Sequence, residues 1–103
     1  MPTFLTKKQV YEWIKRGDKT IDLRRGKQLK GNTIVFMGGG RQFVRGTIVR
    51  KQEGKLQELL NEDTYKKIVP IAKNKDEALV FIKQIYPLTD EVFTAYEFQL
   101  NKE

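Results

Sequence analysis

The chain reads as an α+β domain, a small mixed β-barrel with flanking helices, and three features of the sequence lead there. Its periodic segments follow one another as helix, three strands, two or three helices and a last strand, so the βαβ alternation of a doubly wound parallel sheet is missing. Glycines fall at turns and inside a long strand, where a curling sheet uses them. With 103 residues, 39% hydrophobic and 32% charged, the chain supports one modest core and is too short for two, so residues 1–103 are expected to form a single domain.

Taken in order, Thr6 is placed to N-cap a helix over 7–16, with Val10, Trp13 and Ile14 on one side and Gly17 as its stop. Residues 20–25 alternate as a strand, Thr20, Asp22 and Arg24 on one face and Ile21, Leu23 and Arg25 on the other. After the polar loop RGKQLKGN come the apolar strand 33–37, a Gly38-Gly39-Gly40 turn and a long strand over 42–52. In that long strand Gly46 marks a bulge or bend. Helical material is expected over 55–62 and 63–68, broken at Pro70. A longer helix over 75–85 turns Ala78, Leu79, Ile82 and Ile85 inward and ends at Pro87. The last strand, 92–100, carries Phe93, Ala95 and Glu97 on one side and Thr94, Tyr96 and Phe98 on the other.

The sequence contains no cysteine, histidine or serine. Disulfides, thiol nucleophiles and thiolate metal sites are thereby excluded, as are imidazole acid–base chemistry and imidazole ligation. Neither a metal nor a cofactor is expected. The N-terminal MPTFLTKKQVYEW lacks the apolar stretch of a signal peptide, and no run approaches the roughly 20 apolar residues of a membrane span. A cytoplasmic protein with no membrane partner is expected.

Net charge is +7, unevenly spread. Residues 1–55 hold 14 Lys/Arg against 4 acids, while residues 56–103 hold 6 against 9. Such a field attracts polyanions and speeds their encounter, although a basic surface also serves solubility alone.

Within the basic half, MGGGR at 37–41 superficially suggests a phosphate loop, but no GK[ST] ending and no helix follow it, so a hairpin turn fits better. Asp22 stands among Lys19, Arg24, Arg25, Lys27 and Lys30, and alternation puts Asp22 and Arg24 on one face. This carboxylate either orients the arginine at a ligand site or forms a structural salt bridge; an exposed bridge would contribute no more than about 1 kcal/mol. Tyr11, Trp13, Phe36, Phe43, Tyr86 and Tyr96 are available to stack on bases or to fill the core. Trp13 has the helical spacing of a buried anchor, while Phe43 sits between Arg41 and Arg45 in a basic–aromatic pattern.

Against this background GDKTIDLR at 17–24 resembles the G-x-K-x-x-E-x-R signature of the ASCH domain, with Asp22 in place of the glutamate. KGNTIVF at 30–36, LQELL at 56–60, KDEALVFIKQIYP at 75–87 and AYEF at 95–98 resemble further family segments, so the likeness covers nearly the whole chain. It implies a small PUA-like barrel with flanking helices and RNA-related binding in a cleft beside the signature. Lys19, Asp22 and Arg24 would be cleft residues, with Gly17 shaping the turn that presents them. Arg25, Arg41, Phe43 and Arg45 extend the expected ligand-binding surface.

One branch of small ASCH-like bacterial proteins deacetylates N4-acetylcytidine with a lysine, a threonine and a glutamate. Lys19 stands at the lysine position, Asp22 at the threonine position, and the glutamate position falls near Ile71. The expectation is therefore an RNA- or nucleotide-binding domain. The alternatives are a small amidohydrolase acting on a modified nucleoside through Lys19 and Asp22, and an interaction module for acidic protein partners.

Overall fold

A computed structural model describes residues 2–87 and 91–101 of the chain. Its elements are β1 (Thr3–Leu5), α1 (Lys8–Arg16), β2 (Ile21–Arg25), β3 (Thr33–Met37), β4 (Phe43–Lys55), α2 (Leu56–Leu59), α3 (Tyr65–Ile68), α4 (Lys75–Ile85) and β5 (Val92–Leu100). The five strands form one curled sheet in the order β1-β3-β4-β5-β2. The β1–β3 pair is parallel and the others are antiparallel, so the half-barrel is mixed, as expected.

Two apolar clusters fill the two sides of this sheet. Inside the curl, Ile34 and Phe36 of β3, Ile48 of β4 and Tyr96 and Phe98 of β5 pack under Ile14 of α1. On the other side Ile21 and Leu23 of β2 and Phe93 of β5 pack with Trp13, Leu56, Leu59, Ile68, Ala78 and Ile82 from the helices. Strand β5 has apolar residues on both faces because it is covered on both, which explains why its sequence reads as a nearly continuous apolar run.

The structure departs from the expected elements in several places, beginning with a first strand, β1, that was not expected. Thr6 does not cap α1: its hydroxyl donates to the Met37 carbonyl (3.1 Å), and Lys7 occupies the cap position. Thr6 leaves β1, a strand too short at three residues to show alternation. The sheet irregularity falls between Ile48 and Arg50 rather than at Gly46. Gly46 answers a different need, since a Cβ there would lie 2.8 Å from the Gln99 carbonyl oxygen of β5. Finally, the material expected as helix over 55–62 shortens to Leu56–Leu59 because Asn61 and Thr64 bind the backbone locally: Asn61 Oδ1 accepts from the Asp63 and Thr64 amides, and the Thr64 hydroxyl donates to the Leu59 carbonyl.

The 38–40 glycine run is the β3–β4 hairpin turn, closed by the Gly38 amide donating to the Gln42 carbonyl (2.9 Å). A strand follows it, not a helix. Among the described residues, no helix is long and apolar enough to cross a membrane, and no group of three or more metal-type side chains clusters together.

Candidate functional site

The signature segment begins where α1 ends. Gly17 adopts a left-handed conformation (φ 84°), and its amide and those of Asp18 and Lys19 return to the carbonyls of Ile14 and Trp13. This tight exit turns the chain back under the helix and sends Lys19 into the interior. The Thr20 amide then donates to the Lys67 carbonyl of α3, which fixes the start of β2 against that short helix.

Lys19 is 4% exposed. Its Nζ donates to the carbonyls of Ile21 (2.8 Å) and Ile68 (2.7 Å), the latter one of the carbonyls that the end of α3 leaves without a helical partner. The remaining direction faces Oδ1 of Asp22 at 3.7 Å, too far for a hydrogen bond but close for a charge. Burial lowers the Lys19 ammonium to about 8; the Asp22 carboxylate opposes the shift and the Arg24 charge adds to it.

Asp22 is equally buried, and its Oδ2 accepts from Nε of Arg24 at 2.6 Å, the same-face neighbour that alternation predicted. An exposed bridge is thereby overturned, since desolvation strengthens the pair and raises the cost of breaking it. Arg24 is tied down twice more. Its guanidinium carbon lies 4.3 Å from the centroid of the Phe4 ring, and Nη1 donates to the Leu5 carbonyl (3.3 Å).

These three side chains floor a cleft of about 180 Å³. Its walls are Val10 and Trp13 of α1 and Phe81 and Ile82 of α4, with Trp13 and Phe81 in tilted ring contact at 5.5 Å. Leu5, Thr6 and Lys7 on one side and Ile85 and Tyr86 on the other complete it. Two cations and one anion make the floor of an otherwise apolar slot net positive, while the donors of Lys19 and Arg24 described above are engaged by the protein's own acceptors. Such a floor suits electron-rich ring nitrogens, carbonyls or an anionic group.

The other expected site residues lie elsewhere. Gly17 shapes the turn without lining the cleft. Arg25 points to the opposite face of β2, pairs with Glu91 (3.4 Å) and lies over the outer part of Tyr86 at 5.5 Å. Arg41, Phe43 and Arg45 are on the hairpin of β3 and β4, exposed and outside the cleft. Ile71, near which the resemblance placed the glutamate position, is 59% exposed and also outside it. Conversely, Phe4, Leu5, Phe81 and the Ile68 carbonyl belong to the site without having been singled out. Phe81 alone carried a usable signal, four residues before Ile85 on the helix that Ala78 and Ile82 anchor.

No protein-family model matches the sequence, and no curated protein matches it either. Among solved structures, the hypothetical protein PH0355 superposes with a TM-score of 0.75 at 17% identity, over 96% of this chain and 97% of that one. ZmASCH from Zymomonas mobilis, in a serine-to-alanine mutant form, gives 0.70 at 15% identity over 94% of this chain and 66% of its own length. The ASCH domain from Lactobacillus crispatus JV V101 gives 0.63 at 10% identity, over 96% and 79%. The chain has the fold of these ASCH-domain structures, an α+β half-barrel.

Proposed function

We propose that this ASCH-fold chain binds RNA or a nucleotide, taking one base into the cleft floored by Lys19, Asp22 and Arg24. The observation that carries this reading is the net positive Lys19–Asp22–Arg24 floor of an otherwise apolar slot walled by Trp13 and Phe81, a combination that suits the electron-rich edge of a flat heteroaromatic ring packed against an aromatic wall. The cleft, at about 180 Å³, is smaller than the usual drug-sized pocket, so one base fits its scale better than an extended ligand. Phosphates would lie over the basic residues of the N-terminal half.

The test uses Trp13, the single tryptophan of the chain and a wall of the cleft. Titration with nucleoside monophosphates and with single-stranded RNA should change its emission. RNA affinity should fall with added salt along a log–log slope of about −0.7 per phosphate contacted. Salt-insensitive binding would point to an enclosed small-molecule site, and no binding at low salt would end the nucleic-acid reading.

A second reading, a small amidohydrolase acting on a modified nucleoside, is favoured by Lys19 alone. An ammonium lowered to about 8 is neutral in about one molecule in ten near pH 7. The carbonyls of Ile21 and Ile68 hold two of its protons and Asp22 faces the third direction, so Asp22 is the group placed to take the proton that Lys19 gives up. Among the described residues, Asp22 is the one carboxylate lining the cleft, and Thr6 and Tyr86 are its hydroxyls.

A further inference from the structure

The outer face of β1, β3 and β4 carries a feature that the cleft does not absorb. Register aligns Leu5 with Met37 and Met37 with Phe43, so these three side chains form a row across three strands on the face opposite the core. Phe4, Phe36 and Val44, their chain neighbours, fill the interior instead. Leu5 is 79% exposed and Phe43 is 54% exposed, both large apolar side chains left in water. Beside Phe43 on the same face, the Arg45 guanidinium carbon lies 6.0 Å from its ring centroid, and Arg41 stands in the adjoining turn.

Charge narrows the choice of occupant. The sequence has no acidic residue from 1 to 11 or from 23 to 52, so β1, β3 and this part of β4 contain none. Arg41 and Arg45 form no ion pair among the described residues. An exposed aromatic ring flanked by unpaired arginines on a sheet face is suited to a base stacked on the ring and a phosphate beside it.

The row also starts where the cleft ends. Leu5 lines the cleft, and its carbonyl accepts from Arg24 of the cleft floor. Two strand spacings, on the order of 10 Å, separate Leu5 from Phe43. An extended strand of about two to three nucleotides spans such a distance.

We infer that this face is a second base-stacking subsite for single-stranded RNA, centred on Phe43 with Arg41 and Arg45, and continuous with the cleft through Leu5 and Met37. The inference rests on the reading of the cleft as a base site, and the two are separable by experiment. Anisotropy of a labelled single-stranded RNA of about 12 nucleotides reports total affinity. Trp13 emission with nucleoside monophosphates, compared between wild type and Arg24→Ala, reports the cleft, because Arg24 lines the cleft and not the shallow pocket of Arg16, Lys66 and Lys67 on the other side of Trp13.

Phe43→Ala should weaken RNA binding about tenfold, the scale of one lost stack, while mononucleotide binding stays unchanged and Phe43→Tyr restores RNA affinity. RNA binding that is equal in wild type and Phe43→Ala would overturn the subsite and leave the cleft reading standing. A wild type that binds neither mononucleotide nor RNA would overturn both. Sedimentation showing a wild-type dimer that Phe43→Ala dissociates would reassign the face to self-association. An equal loss of affinity for a polyglutamate peptide would reassign it to acidic proteins.

Discussion

The Nζ of Lys19 lies 3.7 Å from Oδ1 of Asp22, while the other oxygen of the same carboxylate accepts from Arg24 at 2.6 Å. One buried anion thus serves two cations of different character. Arg24 presents a planar guanidinium fork, whereas Lys19 presents an ammonium close enough to neutrality to change state.

Replacing Asp22 by Asn leaves both cations without their counter-charge in a desolvated site. We expect a loss of about 3 kcal/mol near neutral pH in urea denaturation, well beyond the scale of an exposed bridge. Asp22 holds the Lys19 pKa up, so in the variant Lys19 gives up its proton at lower pH; the loss should shrink as pH rises toward 8 and stay constant above it, where only Arg24 remains uncompensated. A loss under about 1 kcal/mol, constant with pH, would contradict the buried triad.

Lys19 should also leave its mark on the stability–pH profile. Its ammonium is lowered from 10.5 to about 8 in the folded chain, so between those values the unfolded chain binds more protons and stability rises with pH. Below pH 8 the folded state carries the whole penalty of the buried charge, about 3 kcal/mol. The difference in unfolding free energy between wild type and Lys19→Met should therefore grow in favour of wild type from pH 8 to 10.5, and a flat difference would contradict the lowering.

The hydrolase reading is decided by incubating the protein with N4-acetylcytidine and following acetate by NMR. No or very slow release is expected, because among the described residues the cleft offers no second carboxylate beside Asp22, and Ile71, near the expected glutamate position, lies outside it. Turnover abolished by Lys19→Ala would make the protein an amidohydrolase.

Gly46→Ala tests the sheet rather than the site. The added methyl would meet the Gln99 carbonyl of β5 at 2.8 Å, a backbone atom that cannot swing away. We expect a loss of about 1–3 kcal/mol in thermal melts with nucleotide binding unchanged. A neutral substitution would mean that β4 and β5 separate there with little resistance.

Much of this architecture was legible in the chain. The short apolar run of 33–37, the apolar segment 92–100 and the helical spacing of 75–85 marked those elements to the residue, because buried strands and an amphipathic helix leave these patterns in a sequence. Asp22 and Arg24 were paired by the two-residue repeat of a strand. The partners of Lys19 were not readable: one is a backbone carbonyl 49 residues away, and a carbonyl leaves no trace in a sequence. Strand β1 escaped because three residues cannot show alternation, and with it went Phe4 and Leu5, which hold Arg24 from the far side. Burial of the Asp22 pair was likewise hidden, since charge density around it suggests a wet surface.

The position of β5 in the sheet sets an order of events for a growing polypeptide. In the sheet β2 pairs with β5 alone, so residues 21–25 acquire their strand partner only after residues 93–97 have emerged. Until then the segment bearing Lys19, Asp22 and Arg24 has no ladder to join, while β3 and β4 can already close their local hairpin. A nascent chain stalled before residue 92 would hold the hairpin with Phe43 and Arg45 but no finished floor for the cleft.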